Sequence, residues 1–336
     1  MNIADMNISK VGFGAWAIGG ADWRFSWGAT DDSESVAAIH RAVESGVNWI
    51  DTAAVYGLGH SEKVVGKALA SLTDKPYVFT KAGLVWDPAD RGAAPYRSMR
   101  QVRREVEDSL RRLGVERIDL YQVHWPDTGT SLSWGGTAEE VLAEPMPLEE
   151  YWQVMADLKR EGKVRAIGLS NHDTALLEAA ERVAHVDAVQ PAFSALNRTA
   201  APEVAWAREH GSAVIAYSPM QSGLLTGAFS RERAAALPQD DWRRDHPDFT
   251  TGLDANLTVA EVLGRVGARH GVSTASAAVA WALAWPGVSG AIVGARTPDQ
   301  IGDWAGAGEV RLTPDDLTEV AEVLRRTGAG QGPIAP

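Results

Sequence analysis

The chain has 336 residues, with 32 Lys and Arg against 44 Asp and Glu, a formal net charge of −12. That acidic surplus argues against nucleic acid or an anionic membrane surface as a partner, because both demand a surplus of cationic side chains. Cysteine is absent, which excludes disulfides, thiolate metal sites and Cys nucleophiles together.

The first ten residues lack a basic stretch followed by an apolar one, and no run reaches the roughly 18 apolar residues of a membrane span. No signal peptide is expected, and the expected location is cytoplasmic. Further on, short apolar runs predict strands at 11–16, 47–51, 77–81, 118–124, 164–169, 186–190, 213–217 and 290–293. Amphipathic stretches between them predict helices at 32–45, 61–70, 98–113, 148–161, 174–183 and 202–210. A longer helical region covers 257–284, broken near Gly271, and two more helices follow at 298–304 and 314–325. Gly114 and Gly211 mark helix ends.

Eight strands separated by helices imply parallel βαβ units, in either an open doubly wound sheet or a closed (β/α)8 TIM barrel. The strand count favours the barrel. So do the polar residues Asp51, Lys81, His124, Ser170, Asn171, Gln190, Tyr217 and Ser218, which close successive apolar runs. In a barrel those C-terminal ends form the ring where chemistry is placed. The expected organisation is a single domain over 1–328 with a flexible, Gly/Pro-rich tail at 329–336. Two connections, 125–147 and 220–255, are too long for plain turns and read as binding loops. The second contains Gly223, Gly227, Pro238, Asp240 and Asp241, and reads as a flap over a ligand.

Gly12-Phe13-Gly14-Ala15-Trp16-Ala17 matches a dinucleotide-binding G-x-G-x-x-A pattern. The pattern requires a helix directly after its glycines, and Ile18-Gly19-Gly20 cannot open one. A Rossmann site is therefore excluded.

A wider set of motifs points elsewhere. Asp51-Thr52-Ala53 with Tyr56-Gly57 and Ser61-Glu62 is followed by Lys81 and by 119–126, which contains His124. Gly162 to Asn171, Gln190-Pro191, Tyr217-Ser218-Pro219 with Gly223-Leu224, and Gly294-Ala295-Arg296 continue in order. This succession resembles the aldo-keto reductase family along nearly the whole chain. The forms at 14–20 and 294–296 resemble its bacterial branch acting on small aldehydes and sugars.

The resemblance implies a (β/α)8 barrel that reduces carbonyls with NADPH, with Asp51, Tyr56, Lys81 and His124 as a catalytic tetrad. The chemistry is coherent on its own terms. Hydride addition to a carbonyl carbon builds negative charge on oxygen, which needs a proton. A phenol with a pKa of about 10 is a reluctant acid. An ammonium from Lys81, kept charged by Asp51, is expected to lower the Tyr56 pKa, while His124 orients and polarises the carbonyl.

The resemblance also places Ser170, Asn171 and Gln190 on the nicotinamide carboxamide, with Tyr217 stacked on its ring. Trp16 and Asp51 join that cofactor-binding set. Residues 218–224, including Ser218, Pro219, Met220, Gly223 and Leu224, are expected along the pyrophosphate. Gly294, Ala295 and Arg296 lead into Thr297-Pro298-Asp299-Gln300, which reads as a capped helix start. A helix N-terminus beside a guanidinium suits a phosphate, and in the family this corner takes the adenosine 2′-phosphate, so NADP(H) is expected over NAD(H). Asp303 and Trp304 stand where the family often has Glu-Asn. Asp303 is the expected substitute on the adenosine side; Trp304 either stacks or points elsewhere.

Thirteen Trp exceed the six Tyr and six Phe together. Trp16, Trp86 and Trp125 are expected to wall the substrate cleft, with Trp23 and Trp27 undecided between cleft and core; Arg91 and Arg97 are the nearest cationic handles. The eight His show no metal-ligand spacing, so no metal is expected. The expected partner is a small carbonyl or alcohol. Two rival readings use the same residues: an NADP-dependent sugar or alcohol dehydrogenase, and a nucleotide-sensing accessory subunit like the potassium-channel β subunits.

Overall fold

Strand alternation and helix capping build a closed barrel in the computed structural model, which describes residues 2–21, 23–133, 139–238 and 241–335. A short hairpin, β1 (Asn2–Ile3) and β2 (Met6–Asn7), precedes the first barrel strand, β3 (Val11–Gly14). Next come α1 (Asp32–Glu44), β4 (Trp49–Asp51), α2 (His60–Ala70) and β5 (Tyr77–Ala82). A second hairpin, β6 (Leu84–Val85) with β7 (Tyr96–Arg97), leads into α3 (Val102–Leu113) and β8 (Ile118–Val123). The chain continues through α4 (Leu148–Arg160), β9 (Val164–Ser170), α5 (Thr174–Glu181), β10 (Ala188–Gln190), α6 (Ala201–His210) and β11 (Ala213–Ala216). It ends with α7 (Arg231–Ala235), α8 (Leu253–Arg269), α9 (Thr274–Ala284), β12 (Val288–Gly294) and α10 (Pro314–Thr327). Strands β3, β4, β5, β8, β9, β10, β11 and β12 close into one barrel in that order. The eight strands expected from the apolar runs are these.

Helix ends follow local chemistry. The Asp31 side chain accepts from the Ser33 and Glu34 amides at the start of α1. Gly114 and Gly211 close α3 and α6 with left-handed backbones, φ 67° and 74°. Burial of Val102, Val106, Ser109 and Leu113 shows α3 turning one helical face to the barrel.

Period-two alternation sorts the strand side chains into two layers. Trp49, Phe79, Leu120, Ala166, Ala188, Ile215 and Ile292 pack together with Ile3, Met6 and Ile8 of the N-terminal segment. Ile50, Val78, Tyr121, Ile167, Val189, Val214 and Val293 belong instead to the larger core shared with the helices. The glycines of the rejected dinucleotide pattern lie within β3. A Cβ at Gly12 would stand 2.2 Å from the Trp49 ring, so this glycine makes room for an indole.

Two segments outside the barrel strands are anchored to it. The long connection after β11 is folded: Leu224, Leu225, Phe229, Leu237 and Phe249 all enter the main core. Asp240, part of the expected flap, lies outside the described residues, as does Pro336. The C-terminal segment does not stand free. Gln331 N donates to Leu196 O at 3.0 Å and Arg198 N to Gln331 O at 2.9 Å. The Arg198 side chain, 2% exposed, donates to Pro333 O at 2.7 Å. A buried guanidinium needs acceptors, and the tail's carbonyls supply them.

Candidate active site

Successive strands bring Asp51, Lys81 and His124 to one end of the barrel. Asp51 ends β4, Lys81 sits near the end of β5, and His124 follows β8. Lys81 Nζ donates to Asp51 Oδ1, and to Thr52 O at 3.0 Å. The pair is all but sealed from solvent, with side-chain exposures of 1% and 4%. The other Asp51 oxygen accepts from Gln190 Nε2 at 2.9 Å and Gln122 Nε2 at 3.3 Å. Further donors are what make a buried ion pair tenable. Gln122 was missed from sequence. Its signal was a polar residue at an inward position of an apolar run.

Tyr56 is delivered by the turn after β4. Its amide donates to Ala53 O at 3.1 Å, and its carbonyl accepts from Ser61 N at 3.1 Å. Next to it Gly57 has φ 61°, and a Cβ there would lie 1.9 Å from Gly19 O, so only glycine allows this approach. The Lys81 ammonium lies 5.3 Å from the Tyr56 ring centroid. The His124 ring meets Tyr56 edge-on at 5.6 Å.

Electrostatics correct one sequence expectation. The Tyr56 phenol sits well above the ordinary pKa of 10, through burial first, then the Asp51 charge and Tyr217. In this state burial and the Asp51 charge outweigh whatever stabilisation the Lys81 ammonium lends the phenolate. Burial lowers the Lys81 pKa while Asp51 and Glu62 oppose that shift. Burial, then the Lys81 charge, push His124 well below the ordinary 6.5, so its ring is neutral. The site therefore holds a protonated phenol and a neutral imidazole beside a buried ammonium.

Aromatic residues wall the open side. Trp16, Phe25, Tyr56, Leu58, Trp86 and Trp125 pack on a cluster formed by Trp23, Ala53, Val55, Leu84 and Leu132. Trp16 stacks on Tyr56 at 6.1 Å. The three Trp expected in the cleft are thus gathered around Tyr56, and Trp23, Phe25 and Leu132 join them. The Arg97 guanidinium is engaged within the protein: it binds Glu139 at 3.1 Å and Thr130 at 3.0 Å, and lies 5.5 Å from the Trp125 ring centroid.

The model of the Aldo/keto reductase family matches residues 10–325. This chain belongs to that family. Aldo-keto reductase YhdN of Bacillus subtilis (strain 168) is 33% identical, over 97% of this chain and 93% of that protein. The NADH-specific methylglyoxal reductase of Escherichia coli (strain K12) is 31% identical, over 97% and 98%. Among solved structures, the glycerol dehydrogenase AKR11B4 from Gluconobacter oxydans superposes with a TM-score of 0.85 at 35% identity, over 98% and 95%. The chain is accordingly an oxidoreductase, and its family uses nicotinamide cofactors.

In this aldo/keto reductase the residues expected at the nicotinamide end converge on one another. Asn171 Nδ2 donates to His124 O at 2.9 Å and Ser170 Oγ at 3.0 Å, while Tyr217 OH donates to Asn171 Oδ1 at 2.8 Å. Ser170 Oγ donates to Gln190 O at 2.8 Å. The neighbouring segment holds Ser218, Gln221 and Ser222 in left-handed backbone, φ 55°, 46° and 52°. Such non-glycine conformations carry strain that recurs at ligand-holding sites.

The far corner is less simple than its sequence. Gln300 Oε1 accepts from Arg296 N at 2.7 Å. Pro298–Asp303 is a 3-10 turn, and Thr297 makes no side-chain cap bond. The Arg296 guanidinium donates to the carbonyls of Trp27, at 3.2 Å, and Ala29. A cavity of about 240 Å³ lies here, lined by Ala29, Thr30, Asp31, Glu34, Arg296, Thr297 and Gln300. Trp304 turns away into the main core, 2% exposed. These residues suit a dinucleotide: amides at one end, a guanidinium and a cavity at the other, and between them the buried indole Nε1 of Trp27, which has no protein acceptor among the described residues.

Proposed function

We propose that this reductase transfers hydride between a nicotinamide nucleotide, NADP(H) by the Arg296 corner, and a small aldehyde, ketone or aldose, with Tyr56 as general acid. The observation that carries this reading is the juxtaposition of three groups. A buried ammonium lies 5.3 Å from the Tyr56 ring centroid, Asp51 holds it, and a neutral His124 meets the same ring.

The cofactor supplies the hydride when bound; the chain's residues handle charge and proton. His124 and the Tyr56 hydroxyl orient the carbonyl oxygen. As that oxygen gains charge it becomes an alkoxide-like base stronger than a phenolate, so Tyr56 can donate its proton despite a raised pKa. The ammonium of Lys81 then stabilises the phenolate left behind. Asp51 keeps Lys81 in place, and the aromatic wall excludes water from the oxygen. Near neutrality the phenol is protonated, the form that donates in reduction.

A second reading, oxidation of an alcohol or sugar, has support from the glycerol dehydrogenase among the structural neighbours. For the nucleotide, the relative named as NADH-specific and the carboxylates Asp31 and Glu34 in the Arg296 cavity favour NAD(H). Initial rates with an aldehyde, ketone and aldose panel, each with NADPH and NADH, test both choices. Tyr56→Phe is expected to cut reduction by about 10²- to 10⁴-fold while nucleotide binding persists. Retention of wild-type rates by that variant would remove the general-acid role.

A further inference from the structure

Residues 27–30 link the two ends of the proposed nucleotide groove. On one side Arg296 grips the Trp27 and Ala29 carbonyls. On the other, the Arg243 guanidinium lies 5.1 Å from the Trp27 ring centroid, and Trp242 meets the same ring edge-on at 6.2 Å. Arg243 is itself fixed. It binds Asp241 at 2.6 and 3.0 Å and Ser222 O at 3.3 Å, and so ties residue 27 to the left-handed segment that starts at Ser218. With its carbonyl held by Arg296, its face covered by Arg243 and its ring met edge-on by Trp16 at 5.4 Å as well as by Trp242, this indole has little freedom to turn.

Two buried polar atoms of this crossing find no hydrogen-bond partner among the described residues: Trp27 Nε1 and Thr30 Oγ1. Native proteins rarely leave a buried donor unpaired, because desolvation is then uncompensated. Thr30 lines the 240 Å³ cavity that also holds Arg296. Asp31, in the same cavity, has one oxygen engaged in capping α1, at 2.6 Å from Ser33 N.

We propose that residues 27–30 form a strap across the nucleotide, and that Trp27 Nε1 and Thr30 Oγ1 donate hydrogen bonds to its phosphate or ribose oxygens. Arg243 is a positioning residue, holding the indole by its face. This rests on the reading that a nicotinamide dinucleotide occupies the groove.

Calorimetric titration of the whole protein with NADP⁺ and NAD⁺ tests the strap, with thermal unfolding as a second readout. Trp27→Phe keeps an aromatic ring for Arg243 and removes the donor together with part of the indole's packing; Thr30→Val removes the hydroxyl at equal size. Each is expected to weaken binding about three- to tenfold and to shrink the nucleotide-induced rise in Tm, measured from each variant's own Tm without nucleotide; for Thr30→Val that starting Tm stays near the wild-type value. Equal losses for both nucleotides place the contact on the shared diphosphate and ribose; a loss confined to NADP⁺ places it on the 2′-phosphate. Wild-type affinity in both variants would show that water alone satisfies these atoms and would overturn the strap. Failure of the wild-type protein to bind either nucleotide would overturn the functional reading itself, and the strap with it.

Discussion

Two buried ion pairs stand back to back on β5. Lys81 reaches Asp51 inside the barrel mouth. Its neighbour Thr80 donates at 2.6 Å to Glu62, which pairs with Arg112 at 2.5 Å between α2 and α3. Glu62 is fully buried and Arg112 18% exposed at its side chain, so both pairs are desolvated. Only the first opens onto a phenol, an imidazole and an aromatic cleft. The second is enclosed by helices, with the Ser109 hydroxyl 3.2 Å from Arg112. A buried charge pair is therefore weak evidence for catalysis by itself; the face of the strand that carries it decides what it can touch.

Lys81→Met should have the largest effect. Turnover is expected to fall by about 10²-fold or more, since no cation then stabilises the Tyr56 phenolate. Arg112→Met should separate the two pairs. It strands the Glu62 charge, and stability measured by denaturant unfolding should drop by about 3 kcal/mol, while turnover of the folded fraction stays within about twofold. A folded but inactive Arg112 variant would break the distinction drawn between the pairs.

Glu105, beside the outer pair, offers a smaller and pH-dependent effect. Its Oε2 accepts from Gly83 N at 3.0 Å, and its Oε1 is buried with no partner among the described residues. Burial pushes this carboxyl up to about 7 from an ordinary 4.5, against the Gly83 hydrogen bond and the Arg112 charge. Through that window the folded protein holds a proton that the unfolded chain releases. Stability should therefore fall as pH rises from about 4.5 to about 7 and level off above. Glu105→Gln keeps the acceptor for Gly83 and should remove the slope, with a gain of about 2 kcal/mol at pH 8 and little change at pH 4.5. Unfolding midpoints at the two pH values measure it. An unchanged slope would show that Glu105 titrates normally.

Much of this was legible in sequence because it depends on local pattern. Apolar runs closed by Asp51, Lys81 and His124 follow from a strand period of two and a barrel that gathers strand ends. The dinucleotide-like glycines could be rejected from the residues after them, though not explained: the Trp49 ring fills the space beside Gly12 and Ile292 that beside Gly14, both far along the chain. Glu62 was visible only as part of a motif. Its signal as a buried acid was its place beside Ser61 and Val65 on the inward face of α2, which predicts a cationic partner without naming it.

Element order, helix ends and the residues at the strand ends follow from neighbours within a few positions, so the chain's own sequence determined them. Partners were decided only in three dimensions. Arg296 grips a carbonyl 269 positions away, Arg198 is satisfied by the tail 135 positions on, and Tyr56 is made less acidic rather than more. Hydrogen bonding and desolvation depend on what lies within a few ångströms through space, and for a chain wound into a barrel that distance bears no fixed relation to separation in sequence.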